Sequence, residues 1–208
     1  MQVEIIPVGA FGVNAIVLWA DHAKLAWVVD PGGDAPRIGN CLKRHGLQVA
    51  LYVCTHGHID HVSALNALLV VHPAPVWIHA DDAKWAFSSV NSLPPHYPVA
   101  PHRPASLQTA ITDDMMLAAG GVAARVILTP GHTPGGLCLY FDQEKLLLSG
   151  DTLFAGSVGR TDLPGGDRGT LKRSLAKLLL LPDDTQVIPG HAESTTIGQE
   201  RQTNPHLR

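Results

Sequence analysis

The chain has 208 residues and a formal net charge of −3, with 45% hydrophobic and 16% charged residues. That balance excludes a disordered chain and leaves enough apolar material for a sizeable core, so one domain spanning 1–208 is expected. Without a block of Lys and Arg, nucleic acid or an acidic membrane surface is excluded as a partner, and no apolar run approaches the ~20 residues of a membrane span. Residues 3–8, 13–19 and 25–30 read as three antiparallel strands, interrupted by Gly9-Ala10-Phe11-Gly12 and by a turn over 21–24. Pro31-Gly32-Gly33 ends the third strand, and Asp34 is placed to cap a helix over 35–45 that Gly46 stops. A strand over 50–53 leads into the stretch 55–61, and a helix follows from His61 to about Val71. A strand over 76–79 and a helix from Asp81-Asp82 to about Val90 come next. Prolines 94, 95, 98, 101 and 104 keep 93–106 out of helix and inner strand. Strands return at 115–118 and 122–128 around Gly120-Gly121, then as a hairpin at 137–141 and 145–149. A Gly-rich loop over 150–169 precedes a helix over 170–181, a last strand over 186–189 and a short helix over 195–204. Each half is thus a run of strands followed by helix and strand, which predicts an α/β fold of two facing sheets with helices outside.

The stretch Thr55-His56-Gly57-His58-Ile59-Asp60-His61 packs three imidazoles and a carboxylate into six consecutive positions. Four such side chains need a cation to hold them together, and imidazole with carboxylate suits zinc, iron or manganese. The spacing is not that of ligands on one helix face. It requires an irregular turn that fans side chains to two sides, so one cluster can feed two ions. His132, Asp151 and His191 each follow a predicted strand end with a glycine directly in front, where the backbone can approach a metal closely. Asp30 fits two roles, as a partner for the second nitrogen of a ligand imidazole or as a turn residue. The other histidines, at 22, 45, 72, 79, 96, 102 and 206, have no such context and read as structural or surface residues. The three cysteines are far apart in apolar surroundings, as expected of buried thiols in a reducing compartment. The N-terminus has neither a charged n-region nor an apolar h-region, so no signal peptide is read and a cytoplasmic location is expected.

Thr-His-x-His-x-Asp-His followed in order by Gly-His, Gly-Asp and Gly-His resembles the metallo-β-lactamase superfamily over the whole chain. The resemblance implies a four-layer αβ/βα sandwich with a dinuclear site along one edge. In it His56, His58 and His132 would hold one ion, Asp60, His61 and His191 a second, and Asp151 would bridge them. True β-lactamases match poorly: they are exported, and their best-known class has Cys where Asp151 stands. The nuclease branches carry an added domain or arm and basic surfaces that this chain lacks. Gly131-His132-Thr133-Pro134-Gly135, Gly150-Asp151-Thr152-Leu153-Phe154 and Asn204-Pro205 look like glyoxalase II, the hydroxyacylglutathione hydrolases. Asp30-Pro31-Gly32-Gly33-Asp34 and Gly159-Arg160-Thr161-Asp162 are similar to its compact bacterial type.

That likeness implies hydrolysis of an acyl thioester, such as lactoylglutathione or another 2-hydroxyacyl glutathione, by a hydroxide shared between two divalent ions. Zinc is the first expectation, with iron or manganese as alternatives, and Asp60 would orient the hydroxide or take its proton. Two departures concern the thiol. The longer glyoxalase II has a C-terminal helical domain with basic residues for the glutathione carboxylate, and this chain ends first. It also has a Tyr where Asp162 stands. Its nearby basic residue falls on Arg160, which is therefore expected to bind an anionic part of the substrate. Tyr97, in the Pro-rich stretch, is expected to touch substrate from the rim of the cleft. The rival within the fold is a persulfide dioxygenase, which resembles this chain with one iron on His56, His132 and Asp151.

Overall fold

A computed structural model describes residues 1–207. β1 (Gln2–Val8), β2 (Val13–Trp19) and β3 (Leu25–Val29) form an antiparallel meander. α1 (Ala35–His45) carries the chain over to β4 (Gln48–Val53), which lies parallel to β3. α2 (Ile59–Val62) and α3 (Leu65–Val71) lead to β5 (Val76–Trp77), and α4 (Ala80–Ala83) with a long irregular stretch leads to β6 (Leu107–Gln108). These six strands form the first sheet in sequence order, parallel from β3 onward.

The second sheet begins as an antiparallel run of β7 (Met116–Ala119), β8 (Val122–Leu128), β9 (Leu137–Phe141) and β10 (Leu146–Gly150). A small ribbon, β11 (Leu153–Phe154) with β12 (Ser157–Val158), follows it. α5 (Arg168–Leu178) then crosses to β13 (Gln186–Pro189), parallel to β10, and β14 (Thr195–Thr196) closes the edge before α6 (Ile197–Thr203).

Side-chain alternation sorts the apolar residues into three layers of core. Ile16, Leu18, Trp27 and Val29 of the first sheet pack against Leu137, Leu139, Phe141 and Leu148 of the second. Val17, Val28 and Tyr52 point the other way, onto Ile38, Leu42 and Leu65 of the helices outside the first sheet. Cys138, Tyr140 and Leu147 meet Leu171, Leu175 and Ile197 outside the second. The result is the four-layer αβ/βα sandwich. Both faces of the central strands are buried, which is why β2, β3 and β10 read as continuous apolar runs and not as alternating ones. Trp27 ties the two sheets together: its ring lies 6.2 Å from that of Phe141, and its Nε1–H donates to the Ala119 carbonyl at 3.0 Å.

Several elements differ from the sequence reading. The helix read from His61 to about Val71 is two short ones, because the first turn begins inside the ligand motif at Ile59 and breaks after Val62. The helix read from Asp81 to about Val90 lasts one turn, because Asp82 and Asn91 turn their side chains to the ligand loop. Asp34 stands where a cap should, yet its carboxylate accepts the Gly9 N–H at 2.9 Å and caps nothing. Gly46 closes α1 in the left-handed conformation, as expected. Residues 195 and 196 extend the second sheet before the last helix starts. β6 and the β11–β12 ribbon were not anticipated: two-residue strands leave no periodic signal.

Candidate metal centre

β3, β4, β8, β10 and β13 all end at one edge of the sandwich. Beyond their carboxyl ends lie, in order, Asp30, the 55–61 stretch, His132, Asp151 and His191. Open α/β sheets present ligand sites at that edge, because the loops leaving neighbouring strands converge there. The seven predicted ligands come together as two interlocked groups. His58 Nδ1 lies 3.1 Å from His56 Nε2 and 2.9 Å from His132 Nε2. His61 Nε2 lies 3.3 Å from His191 Nε2, and Asp60 Oδ2 lies 3.4 Å from the same His191 atom. Asp151 spans both groups, with Oδ1 at 3.5 Å from His61 Nε2 and Oδ2 at 3.6 Å from both His132 Nε2 and His191 Nε2.

These separations test whether a metal fits. Ligand atoms ~2.0–2.1 Å from a tetrahedral zinc stand about 3.3 Å from one another. The nitrogens match that spacing, and their lone pairs face one another, an arrangement that gains nothing without a cation between them. Asp151 Oδ1 is one of two buried side-chain polar atoms with no hydrogen-bond partner among the described residues. An orphaned carboxylate oxygen aimed at imidazole nitrogens fits a metal ligand. The donor set therefore fits two divalent ions.

The remaining ring nitrogens fix each tautomer. His61 Nδ1 donates to Asp30 Oδ2 at 3.0 Å, which settles the role of Asp30 as the orienting partner. Asp30 also accepts from the Thr55 N–H and hydroxyl, both at 2.7 Å, and Thr55 Oγ1 in turn faces His56 Nδ1 at 3.1 Å. His132 Nδ1 donates to the Arg160 carbonyl at 2.8 Å, and His191 Nδ1 to the Phe11 carbonyl at 3.1 Å. Four imidazoles thus turn Nε2 to the centre and His58 alone turns Nδ1, a distinction the sequence does not carry. Burial, reinforced by neighbouring imidazoles, pushes His56 and His58 well down, His58 to about 3, so both favour the neutral ligand form. Burial pulls His61 down as well, but the carboxylates of Asp151, Asp30 and Asp60 outweigh it and raise it to about 10. Burial would raise Asp60, yet His61 and His191 hold it at about 2.

The glycines before the ligands serve different ends. A Cβ on Gly190 would come within 2.2 Å of Asp151 Oδ1, so close packing at the centre requires glycine there. Gly131, at φ +137°, makes room for the backbone of α5 instead.

Two clamps hold the ligand loops, and the sequence reading found neither. Asp82 is fully buried and accepts from Gly57 N–H at 2.8 Å, Thr133 hydroxyl at 2.7 Å and Gly135 N–H at 2.7 Å, joining the loops of His56, His58 and His132. Asn14 donates its side-chain N–H groups to Pro189 O at 2.9 Å and Ala192 O at 3.0 Å, and its backbone N–H to Gly190 O at 2.8 Å. A lone Asn inside the apolar strand Val13–Trp19 was the available signal, since a buried amide needs partners. Asn14→Ala is expected to weaken metal binding at the Asp60, His61 and His191 group about 10–100-fold while binding at the His56, His58 and His132 group is unchanged, the range seen when an orienting partner is lost. Zinc titration by calorimetry reads this directly, and equal weakening at both sites would refute the assignment.

Arg160 borders the cleft above the ligands, with its guanidinium held on Asp162 by two 2.7 Å hydrogen bonds. Tyr97 lies behind the wall: it is 7% exposed, its hydroxyl accepts the Ala10 N–H at 3.1 Å, and its ring packs on Phe11. Phe11 and Leu93 face the cleft where Tyr97 was expected to do so.

The sequence model of the Metallo-beta-lactamase superfamily matches residues 8–191. The Haemophilus influenzae protein named hydroxyacylglutathione hydrolase GloC is 37% identical over 210 residues, covering 100% of this chain and 98% of its own. The crystal structure of the BLEG-1 B3 metallo-beta-lactamase superposes with a TM-score of 0.92 at 39% identity, covering 99% of each chain. That of TTHA1623 in a di-iron-bound form gives 0.81 at 33% identity, covering 98% of this chain and 100% of the other.

Proposed function

This chain belongs to the metallo-beta-lactamase superfamily, and we propose that within it the protein hydrolyses acyl thioesters, with 2-hydroxyacyl glutathione as the substrate class. The observation that carries the reading is the pair of donor groups joined by Asp151 at the floor of an open cleft of about 810 Å³. The likeness to a protein named hydroxyacylglutathione hydrolase supports the choice of thioester. His56, His58 and His132 would hold one ion, Asp60, His61 and His191 the other, and Asp151 both. Two divalent ions there, zinc first, would supply a nucleophile from water near neutral pH and polarise the substrate carbonyl. The Asp60 carboxylate faces the cleft beside His191, placed to orient the attacking water and take its proton. A thiolate leaves readily, so no strong general acid is needed.

Arg160 is assigned to an anionic group on the thiol portion. Its bidentate bond to Asp162 uses two of five guanidinium N–H donors and leaves the others for a carboxylate. Arg160→Ala is expected to raise KM for glutathione thioesters about tenfold, as loss of a charge-assisted hydrogen bond of ~1.5 kcal/mol would. An unchanged KM in a folded variant would remove Arg160 from the substrate site. Among the described residues no helix is long and apolar enough to cross a membrane, and the three cysteines are buried and free. We propose a cytoplasmic location on the reading of those thiols.

The deciding experiment measures free thiol released from S-lactoylglutathione by protein loaded with zinc or with iron. Oxygen uptake with glutathione persulfide and opening of a β-lactam ring are followed in parallel. Thiol release without oxygen uptake supports the proposal. Oxygen consumption at one iron per chain would establish the dioxygenase instead, and β-lactam turnover alone would place the chain functionally with BLEG-1.

A further inference from the structure

Two segments of unlike character line the cleft: Arg160 with Leu163, Pro164 and Gly165 of its own loop, and an apolar wall of Phe11, Ile59, Trp85, Val90 and Leu93. Apart from the ligand residues, Arg160 is the only charged side chain that lines the cleft among the described residues. The donors of the polar side chains in this wall are already spent. The Asn91 amide in its midst is spent on Gly57 O at 2.8 Å and Ala86 O at 2.7 Å, and the Ser92 hydroxyl on Ser89 O at 3.1 Å.

This wall is both exposed and braced. Phe11, Val90 and Leu93 are 43%, 78% and 46% exposed, a cost in water that a ligand covering them would relieve. Leu93 exchanges two backbone hydrogen bonds with Tyr97, at 2.6 and 2.8 Å. Tyr97 in turn holds the Ala10 N–H and the Phe11 ring. Asn91 ties the same turn to Gly57, between two metal ligands. The Trp85 ring lies 5.5 Å from that of His58. A group bonded to a carbon reacting over the ligands therefore has an apolar surface beside it, fixed in register with the reacting atoms. A methyl group would leave most of that surface wet, whereas a phenyl ring or branched alkyl group would cover it.

Resting on the thioesterase reading, with the anionic thiol portion at Arg160, we infer that the Trp85–Leu93 wall receives the acyl substituent and that the preferred substrates carry a bulky apolar or aromatic acyl group.

The test compares S-mandeloylglutathione, whose 2-hydroxyacyl group bears a phenyl ring, with S-lactoylglutathione, whose group bears a methyl. Metal-loaded wild type and the Val90→Ser, Leu93→Ser double variant are assayed, each ratio of kcat/KM being divided by the ratio of hydroxide-catalysed rates. Wild type is expected to favour mandeloyl by about tenfold or more, from apolar area buried at roughly 25 cal/mol per Å². In the double variant the ratio should fall towards one. Hydrolysis of both thioesters at equal normalised rates, or a preference for lactoyl, would overturn the inference and leave the thioesterase reading standing. A mandeloyl preference that survives the double substitution would overturn the placement of the acyl group on this wall. No hydrolysis of either would overturn the thioesterase reading and the inference with it.

Discussion

Asp151→Ala is expected to abolish thioester hydrolysis and to leave less than two equivalents of metal on the protein. The carboxylate reaches both donor groups, with one oxygen near His61 and the other near His132 and His191. Among the described residues no other side chain takes part in both, apart from the His56 and His61 rings, which face each other at 4.0 Å between centroids. With an ion in each group, as proposed, removing it would delete a ligand from both and also the negative charge that offsets two dications in a buried site. The stability linked to metal should go with it. A ligand at a thousandfold excess over its Kd stabilises a fold by about 4 kcal/mol, so the rise in Tm that zinc produces in wild type should largely disappear. Metal analysis after loading with excess zinc and dialysis, with melting curves at each step, measures both effects. Two retained equivalents and wild-type turnover would show that the two groups do not depend on a shared carboxylate.

The second large effect is on the fold itself. Asp82→Ala should lower stability by about 3 kcal/mol or more, since it strands three buried donors, each costing ~1–3 kcal/mol. Those donors are the Gly57 N–H, the Thr133 hydroxyl and the Gly135 N–H, and all three bonds are 2.7–2.8 Å long. For a chain of this size the loss corresponds to a fall in Tm of roughly 6–12 °C. Burial holds the Asp82 carboxyl above its ordinary value, outweighing the three donors that favour its charged form. Because Gly57 sits between His56 and His58, and Thr133 follows His132, the damage should fall on metal binding at that group first. Asn14→Ala should do the reverse, at the group of His191. Asp82→Asn, which keeps one acceptor oxygen and the side-chain volume, should lose less. A melting temperature within about 2 °C of wild type for Asp82→Ala would mean that water replaces the carboxylate at little cost.

The sequence by itself determined the ligand chemistry. Three histidines and an aspartate within 56–61, with His132, Asp151 and His191 behind glycines at strand ends, are local facts of residue type and spacing. The same holds for the longer strands and for α1 and α5, whose apolar periods and end signals lie within a few residues of each other. What only the tertiary structure decided depends on contacts between residues far apart in the chain. Asp30 became an orienting partner because His61, 31 residues on, was folded against it. Asp82 and Asn14 became clamps because a buried carboxylate and a buried amide must find partners, and theirs lie 25 to 178 residues away. Tyr97 was read as a substrate contact on the cleft rim from its polar, Pro-rich neighbourhood. Its ring is buried on Phe11, and its hydroxyl is bonded 87 residues back. The short elements α2, α4 and β6 followed the same rule, since four-residue helices and two-residue strands are held by neighbours and not by their own periodicity. Residue type fixed which atoms can bind a metal. Packing of the two sheets fixed which nitrogen of each ring turns to the centre, and which side chains hold it there.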